Sequence, residues 1–201
     1  MKIFLDANVV ANWILLKNKN VNNVSSPILK ERFRQIGNSF ELVQEILNWK
    51  EKIGMTSQLV LAEIFGVLHD DAINMKLFRE AIPTASWHWV SIRGSKSLLE
   101  DEAAEIYYSV MQRFDELFSK IEIVEDEFNL EYISYFILNL GLKPADSVLL
   151  TTAIENRATH FATTDIRLIE LVKKDKKFDI VVQNPKLISD SFKKYKKKIK
   201  R

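Results

Sequence analysis

Four acidic residues of this chain stand where their carboxylates can do chemistry. Asp6 closes the opening apolar run Lys2-Ile3-Phe4-Leu5, and Glu63 lies within the run Leu59-Val60-Leu61-Ala62-Glu63-Ile64-Phe65. Asp146 follows Pro144 at the start of a helical stretch, and Asp165 follows the run from Thr159 to Thr163. Asp and Glu make up 27 of 201 residues, so placement and not number singles these four out. Three of them fall where a buried element begins or ends, which is where open α/β sheets build their sites. Carboxylates gathered there repel by roughly 4 kcal/mol for a pair at 4 Å and an effective dielectric near 20. A divalent cation reverses the sign of that energy, so the expectation is a Mg²⁺ or Mn²⁺ site. Each acid also has a structural use. Asp6 and Asp165 can cap the helices that follow them, and Asp146 can meet its helix dipole in the first turn. Glu63 is the hardest to explain structurally, because a lone carboxylate on a core-facing helix is costly.

The elements that must position these residues read as strands alternating with helices. Strand candidates are Lys2 to Leu5, Ile53 to Thr56, Ile121 to Val124, His160 to Thr163 and Asp179 to Val182. Between them, Ala7 to Leu16, Ile28 to Gln35 and Phe40 to Lys52 read as helices, the last started by Asn38-Ser39. Ser57 is placed to cap the helix that carries Glu63. Leu99, Ala103, Ile106, Val110, Phe114 and Leu117 recur at helical spacing. Glu127 to Leu140 reads as a helix closed by Gly141, and Pro144 opens the helix that holds Asp146. The pattern predicts a three-layer α/β/α fold around a mainly parallel sheet of about five strands, with a helical insertion at about 70–120. Within that insertion, Trp87-His88-Trp89-Val90-Ser91-Ile92-Arg93 has the period of a strand. Trp and Arg there suit base stacking, although one inward strand face explains both tryptophans more simply.

Composition narrows the classes. With 47% apolar residues the chain can bury a sizeable core. Cysteine is absent, which excludes disulfides and thiolate-held zinc or iron–sulfur centres and fits a reducing cytoplasm. No apolar run is long enough to span a bilayer, so no membrane role is expected. His69, His88 and His160 show no spacing that suggests a shared metal or a triad. The net charge of +2 divides unevenly: residues 193–201 carry seven positive charges, leaving 2 − 7 = −5 for the rest. Lys193, Lys194, Lys196, Lys197 and Lys198 are therefore candidate RNA contacts by phosphate neutralisation, or simply a solvated terminus. The organisation expected is one domain over 1–192 with a basic tail at 193–201.

Taken in order, the segments Ile3-Phe4-Leu5-Asp6-Ala7-Asn8, Ser57-Gln58-Leu59-Val60-Leu61-Ala62-Glu63-Ile64, Pro144-Ala145-Asp146-Ser147-Val148-Leu149-Leu150 and Phe161-Ala162-Thr163-Thr164-Asp165 resemble the PIN-domain family of metal-dependent nucleases. Each motif alone is weak, and four in the family's order make a strong signal. The resemblance implies a PIN-like fold and an acidic pocket in which Asp6, Glu63, Asp146 and Asp165 are both catalytic and metal-binding. It places Asn8 and Thr163 as polar residues that orient ligands or phosphate. Two departures stand out. Position 147 is Ser where the family most often has Ala, and no second acid closely follows Asp165.

The activity implied is endoribonuclease cleavage of RNA by hydrolysis of two-metal type, leaving a 5′-phosphate and a 3′-hydroxyl. Toxin members of the family pair with a small antitoxin protein, and paired chains are common, so an antitoxin partner and a homodimer are further expectations. Two other functions compete. A PIN-like domain that binds RNA or protein without cutting would be expected to have lost acids, and all four are present. A phosphatase of the haloacid dehalogenase type wants a second Asp two residues after the first, and position 8 is Asn.

Overall fold

The computed structural model describes residues 1–17, 27–83, 98–175 and 177–199. Five strands, β1 (Ile3–Leu5), β2 (Gly54–Ser57), β3 (Ile121–Val124), β4 (His160–Ala162) and β5 (Val181–Gln183), form one sheet in the order β3-β2-β1-β4-β5, with every pairing parallel. Ile3, Phe4 and Leu5 are all fully buried, so β1 is covered on both faces. That is why it reads as a continuous apolar run and not as an alternation. Phe4 stacks on Phe161 of β4 with ring centroids 5.2 Å apart, tying the two central strands together.

The helices are α1 (Ala7–Lys17), α2 (Pro27–Leu47), α3 (Gln58–Arg79), α4 (Glu100–Phe118), α5 (Leu130–Leu140), α6 (Pro144–Glu155), α7 (Ile166–Lys173) and α8 (Pro185–Ile199). From β1 the chain steps outward through β2 to β3, carrying α1 to α4, then returns across β1 and steps the other way through β4 to β5, carrying α5 to α7. Right-handed crossovers taken in opposite directions put the two helix sets on opposite faces. The result is the expected three-layer α/β/α arrangement. Packing agrees with it: α1 lies on α2 and α3, α4 on α3, and α5 on α6. The strand order reverses between β1 and β4, and that switch point opens a crevice beyond their carboxyl ends.

Several local expectations change. Ile28 to Gln35 and Phe40 to Lys52 are not two helices, because α2 runs unbroken from Pro27 to Leu47. Gly37 and Asn38 cost helix propensity, on the order of 1 kcal/mol for the glycine. Burial of Ile36, Leu42, Val43 and Ile46 on one face outweighs it. Ser39, read as a helix start, is fully buried in mid-helix and its hydroxyl accepts from Asn12 Nδ2 of α1 at 3.4 Å. Glu127 to Asn129 precede α5, and the Asn129 side chain caps it by accepting from Glu131 and Tyr132 N–H.

Ser57 does occupy the N-cap position of α3, but its hydroxyl makes no cap bond and is buried without a partner. Asp126, just past β3, supplies the bond instead, its Oδ2 accepting from Leu59 N–H at 2.8 Å. Gly54 is required by a close approach: a Cβ there would meet Ile46 Cγ2 at 2.7 Å and Ile121 Cγ1 at 3.2 Å. The strand expected over Trp87 to Arg93 lies outside the described residues.

The basic segment at 193–199 is the last two turns of α8 and not a separate tail. Lys193 pairs with Glu45 of α2 at 3.3 Å, and Lys196 lies over the Phe192 ring at 4.0 Å. Helix α8 leaves the carboxyl edge of the sheet after β5 and spans about 22 Å at 1.5 Å per residue. Its lysine-rich end reaches the opposite edge, where Lys194 and Tyr195 share a hollow with Met1, Thr159 and His160.

Candidate active site

Four separate stretches of chain deliver their acids to the switch-point crevice. Asp6 is the first residue past β1, and its backbone N–H still reaches Ala162 of β4 at 3.1 Å. Glu63 sits in the second turn of α3, and Asp146 in the first turn of α6 behind Pro144 at the first helical position. Asp165 is the N-cap of α7, accepting from Leu168 N–H at 3.1 Å. All four line one cleft of about 460 Å³, together with Asn8, Gly66, Val67 and Asp70.

A compact network holds Asp6. Its Oδ1 accepts from Ala7 N–H at 2.7 Å, and its Oδ2 accepts from Asn8 Nδ2 and from the Thr163 hydroxyl, both at 2.6 Å. Thr163 is fully buried, and its oxygen also takes Asn8 Nδ2 at 3.1 Å and Asp165 N–H at 3.0 Å. Asn8 Oδ1 in turn accepts from Thr164 N–H at 2.9 Å. Asn8 and Thr163 thus lock the end of β1 to the end of β4 and hold the Asp6 carboxylate in place. A carboxylate offers about four lone-pair sites, so these three bonds leave Asp6, which lines the cleft, about one acceptor position.

The electrostatics are those of charge held in excess. Burial pushes Asp6 up to about 6, with nearby Asp146 adding to the rise and the bonds from Thr163, Ala7 and Asn8 opposing it. Burial likewise raises Glu63 to about 7, helped by Asp6, Asp146 and Asp126 and resisted by Lys143. Asp146 is raised by burial and by Asp165, while Lys143 and Arg167 pull it back. Elsewhere acids are answered directly: in the hollow between α1, α3 and α4, Asp71 pairs with Arg32 and Glu102 with Lys76. Among the described residues, none of the four cleft acids has a salt-bridge partner.

The donor set fits a hard divalent cation in kind, being all carboxylate oxygen. Among the described residues, however, no three Asp, Glu or His side chains are gathered closely enough to grip one ion as they stand. Of the expected RNA contacts, none of the four whose side chains are described lines this cleft. Lys193 and Lys196 are engaged on α2 and Phe192, and Lys194 and Lys197 are exposed near the far edge. The Lys198 side chain lies outside what is described.

No protein-family model matches the chain. Comparison with curated proteins finds an Archaeoglobus fulgidus protein that is 63% identical over 101 residues, half of this chain and 86% of the relative. The chain belongs to that protein's family. The relative is described only as an uncharacterized protein, so family membership establishes kinship and leaves the chemistry to the site itself.

Two acids of this family member escaped sequence reasoning. Asp70 lies seven residues after Glu63, two helical turns along the same face of α3, and lines the cleft. Asp126 lies two residues past β3, after Glu125, and its charge reaches Glu63. The rule that selected Asp6 and Asp165, an acid just beyond a buried strand, does not single Asp126 out, because Glu125 comes first and Glu122 and Ile123 of β3 are exposed.

Proposed function

We propose that this protein is a Mg²⁺- or Mn²⁺-dependent endoribonuclease of PIN type, with Asp6, Glu63, Asp146 and Asp165 as its catalytic and metal-binding residues. One observation carries the reading. Four carboxylates from four chain segments line a single cleft at the topological switch point, two of them pushed up to about 6 and about 7. Folding keeps like charges together only at a cost, and perturbed groups of this sort cluster at functional sites. When bound, the metal supplies Lewis-acid stabilisation and a water of lowered pKa. The chain's own part is to orient. Thr163 and Asn8 fix the Asp6 carboxylate, the α7 cap fixes Asp165, and the first turn of α6 presents Asp146 beside it.

The test is cleavage of a mixed RNA pool by the purified protein with Mn²⁺, with Mg²⁺ and with EDTA, with Asp146→Asn alongside. Metal-dependent cutting that disappears in the folded variant supports the assignment. Full activity in the variant, or its unfolding, refutes it. The antitoxin partner and the homodimer rest on the resemblance alone; co-purification from the native source and the mass in solution test them.

A second reading, a cleft that binds RNA or protein without cutting, is favoured by the dispersed carboxylates, no three of which converge among the described residues. A calorimetric titration with Mn²⁺ separates the two, since this reading requires no heat of metal binding.

A further inference from the structure

Beside the acidic cleft lies a smaller one of about 120 Å³, which shares Asp146 and Asp165 with it but is flanked by Lys143 and Arg167. Both cations are exposed, and neither is in salt-bridge contact with the four acids among the described residues. Both charges act on Asp146 through space, and the Lys143 backbone N–H also donates to its carboxylate.

Each is nonetheless held in place by the backbone. Gly141 adopts the left-handed conformation, φ 68°, that closes α5, and its carbonyl accepts from Arg167 Nη2 at 3.3 Å. A guanidinium carries five N–H donors, so most of the Arg167 fork still faces outward. Lys143 is the N-cap residue of α6, and its carbonyl accepts twice from Ser147, from the backbone N–H at 3.0 Å and from the hydroxyl at 2.9 Å. The second of these bonds exists only because position 147 is Ser and not Ala, so the departure noted in the sequence acts on the residue that presents Lys143.

We propose that Lys143 and Arg167 form a phosphate-binding subsite, which seats the nucleic-acid phosphate adjoining the one offered to the carboxylates. A polyanion entering a cleft of four or more acids is repelled, and fixed cations at its rim offset that repulsion and set the register of the strand. Arg at the end of a short tether suits the forked recognition of phosphate oxygens, and Lys supplies a point charge. The subsite rests on the nuclease reading for its purpose but not for its binding, since its charges act without metal.

The probe is a fluorescein-labelled 20-nucleotide single-stranded RNA, followed by anisotropy in EDTA from 50 to 300 mM KCl. Lys143→Gln, Arg167→Gln and the double variant are compared with the parent, and circular dichroism checks their fold. Each single change is expected to raise Kd about fivefold, as loss of one charge-assisted contact does. Each is also expected to flatten the plot of log K against log salt by about 0.7. Because the lysines of α8 can also hold RNA, the same strand carrying 4-thiouridine is photocrosslinked, and its adducts should map to residues 141–168 and vanish in the double variant.

Unchanged Kd and slope overturn the subsite, as do adducts confined to α8 or absence of binding by the parent at 50 mM KCl. Cleavage by the parent in Mn²⁺ is read separately. Loss of slope in a protein that never cuts RNA keeps the subsite and sinks the nuclease, whereas cutting with an unchanged slope does the reverse.

Discussion

Raising the pH of the metal-free protein should destabilise it, and the size of the effect follows from the cleft. Asp6 titrates near 3.8 unfolded and about 6 folded, and Glu63 near 4.5 and about 7. Both folded values are raised, so between pH 4 and 7 the native state holds more protons than the unfolded one. Stability is then fullest below the unfolded values and drains away as pH climbs through the folded ones. For Asp6, which is buried, the loss between pH 5 and pH 8 is on the order of 1 kcal/mol. Glu63 is half exposed, and halving its contribution for solvent screening leaves about 1 kcal/mol more. His160 acts in the opposite direction, because burial and the chain's amino terminus lower it. The comparison that cancels it is wild type against Glu63→Gln. Urea unfolding in EDTA at pH 5, 6, 7 and 8 should show wild-type stability falling by about 2 kcal/mol before the His160 offset, with a visibly flatter curve for the variant. Parallel curves for the two proteins would refute the claim that burial, helped by neighbouring acids, raises Glu63 in the folded cleft.

Three more outcomes can be checked. At pH 8, Mn²⁺ at a hundredfold excess over its Kd should raise stability by about 2.7 kcal/mol, read as a shift in the urea midpoint that Asp146→Asn reduces. Asp126→Ala removes the bond to Leu59 N–H that caps α3; a lost cap costs about 1 kcal/mol, and differential scanning calorimetry should show Tm falling by roughly 2–4 °C. Gly54→Ala forces a methyl onto Ile46 and Ile121; overpacking of this kind costs about 1–3 kcal/mol, and an unchanged thermal midpoint would show that α2 yields without penalty.

What the sequence made legible follows from how local each signal is. Strand β3 falls on the expected Ile121 to Val124, and α4 on the spacing of Val110, Phe114 and Leu117. An apolar run or a helical period is written into consecutive residues, and Asp6, Glu63, Asp146 and Asp165 were findable because they interrupt such patterns. Gly37-Asn38-Ser39 misled for the converse reason. Its local chemistry says break, and only packing on α1 says continue. The Ser57 cap failed similarly, because Asp126, 67 residues beyond Leu59, arrives to make the bond. Lys143 and Arg167 carry no periodic or motif signal at all. What brings them together is the turn at Gly141 and the start of α7, features of three-dimensional closure.

The course of α8 leaves the molecule with an electrical axis. Its acidic mouth opens at one edge of the sheet and its lysine-rich helix end lies at the other, separated by about 22 Å of helix. A polyanion drifting toward this protein therefore exerts a torque that turns the α8 end to face it and the cleft away. On the endoribonuclease reading proposed above, first encounter and productive encounter would fall at opposite poles, and a captured strand would have to be long enough to wrap the molecule or let go and re-approach. If the cleft cuts RNA as proposed, oligonucleotides too short to span the two poles should be held uncut at low ionic strength, and moderate salt should release them to find the cleft.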